Sequence, residues 1–263
     1  MLTADRVVEM KDVAVEVVCN RFSGDGWSAG PMNVPLEKEI TVYVNLRELV
    51  TILCSPTKLN FLVLGFLRSE GIIRDMNDVL MMRVCDEESE VDVRLTNPDF
   101  QLPAKRRLTS GCGGGATFTM QAQKVESDLV VTPAEILARM KQLQGHIERL
   151  SGGMHASALA DPKELLLVTE DIGRHNTLDK IQGGCLLKGL STRDRMVLTT
   201  GRISSEMLLK AARMQVPVLA SRHSPTESAV ALARDLGIAL VGRATVSRMT
   251  VYTHPERLGC PTE

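Results

Sequence analysis

Between residues 165 and 241 the chain alternates short β-like runs with helical ones, and no other feature narrows its fold so far. The β-like runs cover 165–169, 196–200, 216–221 and 238–241, and helical patterns cover 176–188, 204–214 and 225–236 between them. Strands separated by helices of that length predict a largely parallel sheet covered by helices. Thr132-Pro133-Ala134-Glu135 marks the start of this half. It joins a capping hydroxyl, a proline in the first turn and the glutamate of a capping box. The helix it opens carries Ile136, Met140, Leu143 and Ile147 on one stripe and is stopped by Ser151-Gly152-Gly153. Ser224-Pro225-Thr226-Glu227 repeats the same cap logic.

The first half has a different grammar. Ile40, Val42 and Val44 alternate with polar residues as in a half-buried strand, and 79–84 and 91–95 flank the acidic turn Asp86-Glu87-Glu88 as a hairpin. Between them one helix is expected, with Ser55 as N-cap, Pro56 in the first helical position, Leu59, Leu62, Val63 and Phe66 at helical spacing, and Gly71 ending it. The two regimes meet near residues 120–131. A chain of 263 residues with 44% hydrophobic content can bury two cores, so the expected division is an α+β domain over 1–125 and an α/β domain over 126–263.

Charge narrows the function. With 31 basic and 32 acidic residues the formal net charge is −1, so no overall field recruits nucleic acid or an acidic membrane surface. Aromatic residues are 3% of the chain, too few for the stacking platforms of single-strand binders. No apolar run is long enough to span a bilayer. The cysteines, at 19, 54, 85, 112, 185 and 260, are dispersed with no CxxC pair, which points to a reducing cytoplasm.

Any anionic ligand must therefore be held locally. In open α/β sheets ligands gather beyond the carboxyl ends of strands, where helix amino termini present free N–H groups. Three loops have that placement. Thr199-Thr200-Gly201-Arg202-Ile203-Ser204-Ser205 and Ser221-Arg222-His223-Ser224 are either phosphate-binding turns or ordinary capped ones. Glu170-Asp171-Ile172-Gly173-Arg174-His175-Asn176 is denser in functional groups than a connection requires, and either orients a polar ligand or closes a buried network between domains. His155-Ala156-Ser157 lacks the glutamate of a zinc deaminase's H-x-E signature and no cysteine pair follows it, so zinc is not expected and His155 reads as structural. Near the end, Met249-Thr250-Val251-Tyr252-Thr253-His254 alternates like an edge strand, with Arg243, Arg248 and His254 as local cations.

One segment is either a turn holding an incidental small hydrophobe or a place for sulfur chemistry. In Arg106-Arg107-Leu108-Thr109-Ser110-Gly111-Cys112-Gly113-Gly114-Gly115 a single thiol follows three cations, Lys105 to Arg107, and is ringed by glycines. Positive charge favours thiolate, and glycine lets a partner approach closely.

Taken in order, these segments resemble the FdhD family of formate dehydrogenase accessory sulfurtransferases. The resemblance runs from about Val34 to Leu258 and rests on Pro35-Leu36-Glu37-Lys38-Glu39, Gly65-Phe66-Leu67-Arg68-Ser69-Glu70-Gly71-Ile72-Ile73, the cysteine loop, Asp171-Ile172-Gly173-Arg174-His175-Asn176 with Asp179-Lys180, Thr200-Gly201-Arg202-Ile203-Ser204-Ser205-Glu206-Met207, and Val251-Tyr252-Thr253. It implies a cytidine-deaminase-like α/β fold for the second domain and a cytoplasmic homodimer. It further implies a persulfide carrier that takes sulfur from a cysteine desulfurase and passes it to the molybdenum bis(guanine dinucleotide) cofactor on behalf of formate dehydrogenase. Cys112 falls on the family's persulfide-carrying cysteine, and Met249, Thr250, Val251, Tyr252, Thr253 and His254 fall on its cofactor-binding segment. Family members commonly carry a second cysteine where Gly115 stands here, so a two-cysteine relay within the loop is ruled out. The alternative from another class is a non-catalytic chaperone that binds guanine nucleotide or molybdenum cofactor without carrying sulfur.

Overall fold

A helix that is apolar on every side must be covered on every side, and the segment Leu59–Ser69 is such a helix. In the computed structural model, which describes residues 13–85, 89–101, 107–108, 116–117, 122–148 and 152–260, it lies between the two halves of an α/β chain. Its Leu59, Leu62, Val63 and Phe66 join one core while Phe61 joins another. This helix, α1, packs more extensively than any other against a second helix, Arg174–Lys188.

The first half opens with a hairpin of β1 (Ala14–Ser23) and β2 (Gly26–Pro35), paired from Ala14↔Pro35 to Ser23↔Gly26. A four-stranded sheet follows in the order β4-β3-β6-β5. Its members are β3 (Lys38–Val44), β4 (Arg47–Cys54), β5 (Val79–Cys85) and β6 (Glu90–Leu95). The expected hairpin of β5 and β6 is present, and β6 runs parallel to β3. Ile40, Val42, Val44, Val91 and Val93 turn one face of this sheet onto α1. Two short strands, β7 (Arg107–Leu108) and β8 (Ala116–Thr117), pair antiparallel and so bring together the two ends of the segment that carries Cys112. Cys112 itself lies outside the described residues.

The second half holds a six-stranded sheet in the order β10-β9-β11-β12-β13-β14, made of β9 (His155–Ala160), β10 (Leu165–Asp171), β11 (Met196–Thr199), β12 (Val218–Ser221), β13 (Ala239–Gly242) and β14 (Thr250–Val251). Only β11–β12 and β12–β13 are parallel, which corrects the largely parallel sheet expected from sequence. The cause is β9, a strand of small residues with little β propensity of its own, inserted antiparallel to both β10 and β11. Leu159, Leu167, Val197, Leu219 and Leu240 face a core shared with α3 (Arg174–Lys188), α4 (Ser205–Arg213) and α5 (Glu227–Leu236). Ala156, Ala158, Ala160, Leu198 and Ala220 face the opposite core under α2 (Pro133–Ile147), whose Ile136, Met140 and Leu143 are buried there. The Thr132 capping box is present in full.

Two helix starts differ from expectation. Helix α1 begins at Leu59 rather than after Ser55, because Ser55 is fully buried and its polar groups are taken by the second half. Helix α5 is capped by Thr226, not Ser224, with Thr226 Oγ1 accepting from the Ala229 N–H. Among the described residues no helix is long and apolar enough to cross a membrane.

Candidate functional site

The strand pairings place one row of residues along a single edge of the large sheet. Asp171 is opposite His155, Thr199 is opposite both Ser157 and Ser221, and Gly242 is opposite Thr250. Beyond this edge lie the three loops that the sequence singles out, and the amino termini of α3, α4 and α5 point to it. The loops brace one another. The Thr200 hydroxyl accepts from the Ala156 N–H at 2.9 Å, Ser221 Oγ donates to the Gly201 carbonyl at 2.6 Å, and Arg243 Nε donates to Ser224 Oγ at 3.0 Å.

The dense loop at 170–176 divides its side chains between two tasks. Asp171 and Asn176 face inward. Asp171 accepts from the backbone N–H of Ser55 at 3.2 Å and Gly173 at 2.8 Å, from Asn176 Nδ2 at 2.9 Å, and pairs with Lys180 Nζ at 2.7 Å. Asn176 also donates to the Leu53 carbonyl at 2.8 Å, and Lys180 Nζ to those of Ser55 and Glu170. Next to them Lys58 pairs with the fully buried Glu170 at 3.1 Å. Burial pushes the Glu170 carboxyl up, but the His146 imidazole at 3.5 Å and the Lys58 ammonium outweigh it and hold the group below the usual range. This is the buried network between halves, extended by Lys210, Asp179 and Ser69.

Arg174 and His175 belong to the rim. Arg174 passes within 2.7 Å of where a Cβ on Gly201 would stand, so only glycine fits at 201. Its Nε and Nη2 are enclosed, yet among the described residues no group accepts from them. Enclosed guanidinium nitrogens lacking acceptors are a costly arrangement that a bound anion relieves. Helix α3 adds to the same point, since its N-cap is Gly173 and no side chain caps its first turn. Arg202, Arg222 and Arg243 are exposed around the same edge.

Two imidazoles line the rim uncharged. Burial, followed by the charges of Lys210 and Arg174, lowers His175 to about 3, and burial followed by Arg174 and His223 lowers His155. His175 Nε2 lies 3.3 Å from Glu206 Oε2, a partner that the sequence reading did not identify although Glu206 stands three residues after Ile203 in a quoted motif. Burial raises the Glu206 carboxyl. An unfolded histidine takes up a proton near pH 6.5 whereas folded His175 resists to about 3, so the unfolded chain binds more protons throughout that window. Stability is therefore expected to fall by about 1–2 kcal/mol between pH 7 and pH 5. Urea denaturation at the two pH values checks this, and His175→Gln should flatten the difference; an unchanged pH dependence in that variant would contradict the assignment.

Where a zinc deaminase would place its glutamate, Ser157 is buried and shares hydrogen bonds with Thr177 at 2.6 Å and Thr199 at 3.0 Å. Among the described residues no three His, Cys, Asp or Glu side chains are grouped to hold a metal ion. The 249–254 segment runs from the rim to the far end of the sheet. Met249 and Thr250 stand at the rim, Val251 pairs with Val241, and the Tyr252 ring lies 2.9 Å from where a Gly242 Cβ would be. Thr253 is buried, donating to the Ile238 carbonyl at 2.7 Å and accepting from the Leu240 N–H at 3.0 Å. His254 sits at the opposite end against the Arg234 carbonyl of α5 and Glu256.

Of the described cysteines, Cys54 and Cys185 are buried and their thiols are pushed up to about 12, Cys54 by burial and the Asp171 charge and Cys185 by burial. Neither supplies thiolate at neutral pH.

Comparison with known proteins places these features in a lineage. The profile of the FdhD/NarQ family matches residues 35–259. The chain is 41% identical to the sulfur carrier protein FdhD of Bacillus subtilis (strain 168) and 40% identical to that of Staphylococcus aureus (strain MRSA252), each over 233 residues covering 84% of this chain and 88% of the other. Its fold is similar, with a TM-score of 0.78 and 25% identity, to the crystal structure of a protein assigned as a formate dehydrogenase accessory protein from Desulfotalea psychrophila, over 94% of this chain and 99% of that one.

Proposed function

The chain belongs to the FdhD/NarQ family, and from that premise we propose that it is a sulfur carrier serving formate dehydrogenase. Cys112 takes sulfur from a cysteine desulfurase, and the sheet rim holds the molybdenum bis(guanine dinucleotide) cofactor that receives it. Relatives that are about two fifths identical over the 233 aligned residues are named sulfur carriers, which supports the first part. The observation that carries the second is the pair of enclosed Arg174 nitrogens, Nε and Nη2, without an acceptor among the described residues, beside the amino terminus of α3 that no side chain caps.

In the loading step the Cys112 thiolate attacks the outer sulfur of the desulfurase persulfide. A new S–S bond forms at Cys112, the desulfurase S–S bond breaks, and the desulfurase cysteine leaves as thiolate. Oxidation state is conserved across the exchange. The cofactor is substrate here, and its phosphates are met by Arg174, by the first-turn N–H groups of α3 and by Arg202. Met249, Thr250 and the Tyr252 ring supply contacts at the β14 end of the rim, while Val251, Thr253 and His254 keep that strand in place. The two halves correspond to a domain over 1–125 that carries Cys112 and one over 126–263 that binds the cofactor. A homodimer in the cytoplasm completes the proposal.

Guanosine diphosphate is the simplest probe of the rim. One charge-assisted hydrogen bond to phosphate contributes about 1.5–3 kcal/mol, so Arg174→Met is expected to weaken binding at least about tenfold in calorimetric titration, with the thermal midpoint little changed. Equal affinity in the variant would remove Arg174 from the site. A chaperone that binds the cofactor without carrying sulfur would show the same titration, so loading of Cys112 is what separates the two readings.

A further inference from the structure

Helices α3 and α4 both begin at the rim and end together at the opposite side of the molecule, roughly 20 Å away by the length of α3. A cavity of about 360 Å³ opens there, within the size range of small-ligand sites. Its walls are the last turn of α1, the 189–193 loop after α3 and the 213–215 turn after α4. Three of its lining side chains are Arg68, Arg193 and Arg213, Gln182 and Gln215 add amides, and among the described residues no Asp or Glu lines it, although Glu70 acts on Arg213 from beside it.

The walls are fixed without a ligand. Thr192 Oγ1 donates to the Met214 carbonyl, tying the loop to the turn, and Gln215 Nε2 donates to the Ala212 carbonyl at 3.1 Å. Arg213 Nη1 donates to the Ser69 carbonyl, which brings its charge to the end of α1 beside Arg68. Burial lowers Arg213 below its ordinary range, the Glu70 charge opposes this, and the Arg68 charge reinforces it. Three helix carboxyl termini favour cations at this end, and Arg213 caps one of them with Glu70 nearby, but Arg68 and Arg193 bring two further guanidiniums to the same cavity. Bidentate forks of this kind suit phosphoryl oxygens.

We propose that the Arg68–Arg193–Arg213 cavity is a second anion site, separate from the rim, that takes a small phosphoryl-bearing ligand. The cavity shares no side chain with the rim, so an empty cavity would leave the sulfur-carrier reading intact.

The test is amide hydrogen exchange on the full chain titrated with inorganic pyrophosphate, and separately with ADP. Exchange in 189–193 and 213–216 should slow saturably. Arg68→Gln with Arg193→Gln should weaken that protection at least about tenfold, as expected on losing charge-assisted hydrogen bonds, and Arg174→Met should leave it unchanged. Tighter protection by ADP would identify a nucleoside diphosphate as the ligand, and tighter protection by pyrophosphate the free anion. Should the double variant fail to fold, Arg193→Gln alone, at an exposed position, gives the same comparison. Absence of protection in these segments under saturating pyrophosphate and ADP, or protection that survives the loss of both arginines, would overturn the proposal.

Discussion

Gly65→Ala is expected to lower the thermal midpoint by roughly 10 °C or more, or to prevent folding, because α1 and α3 touch backbone to backbone at this point. A Cβ on Gly65 would stand 1.7 Å from the Asp179 carbonyl oxygen, and one on Gly183 would stand 1.9 Å from that of Phe61. Ordinary contact needs about twice that separation, so the helices would have to part by more than side-chain repacking can absorb. Overpacking in a tight core costs about 1–3 kcal/mol when side chains can yield. Here the obstacle is main chain on a neighbouring helix. Parting the helices would also strain the bonds that cross the same seam, from Ser69 to Asp179 at 2.7 Å and from Lys180 to Ser55 at 3.3 Å. Gly145→Ala in α2 is the control. Nothing lies within 4 Å of its added Cβ, and replacing a helical glycine with alanine should raise stability by about 0.5–1 kcal/mol.

Lys180→Met should have the next largest effect, a loss of about 3–5 kcal/mol. Lys180 and Asp171 are both fully buried and their charges meet at 2.7 Å. Removing the cation leaves the carboxylate enclosed, with its three remaining neutral donors on Ser55, Gly173 and Asn176. Those donors stabilise negative charge but do not cancel it. Adding Asp171→Asn to Lys180→Met removes the orphaned charge, so the double variant should be more stable than Lys180→Met alone, a coupling that denaturant titration of the four proteins measures directly. Additive losses would mean that the pair holds the halves together no better than two unrelated side chains.

These two predictions also show where the sequence was legible. Periodicity and caps are local, and they located α2, α3 and α4 closely, since Thr132, Glu135 and Ser204 act on their own helices. Ser55-Pro56 carried the same local signal, but Ser55 Oγ accepts from the Ile172 N–H across the seam, and α1 starts only after Lys58 has turned into the left-handed region at φ 50°. A contact to a residue more than a hundred positions away overrode the cap, and no local pattern reports such a contact. Strand direction was hidden for a similar reason, because His155–Ala160 offers mostly small residues and reveals itself only through its neighbours.

The candidate site was half legible. Loops of glycine, arginine and hydroxyl residues beyond strand ends were visible, and the structure gathers them at one edge. Which members of 170–176 face the seam and which face the rim was not visible, since Asp171 and Arg174 are separated by a single turn of chain yet point into different environments. The β1–β2 hairpin had a readable signal, alternation on either side of Gly24-Asp25-Gly26, that the sequence reading did not use. Cys112 stands out in the sequence by its glycines and flanking cations, and its role as persulfide carrier is what the family resemblance implies.

Intact-protein mass spectrometry after incubation with a cysteine desulfurase and cysteine tests that assignment most directly. The wild-type chain should gain the mass of one sulfur atom, lose it on treatment with reductant, and keep the rim's affinity for guanosine diphosphate, while Cys112→Ala should bind the nucleotide equally well and gain no sulfur. A Cys112→Ala chain that loads sulfur as fully as wild type, or a wild-type chain that binds the nucleotide and never gains the atom, would contradict the account.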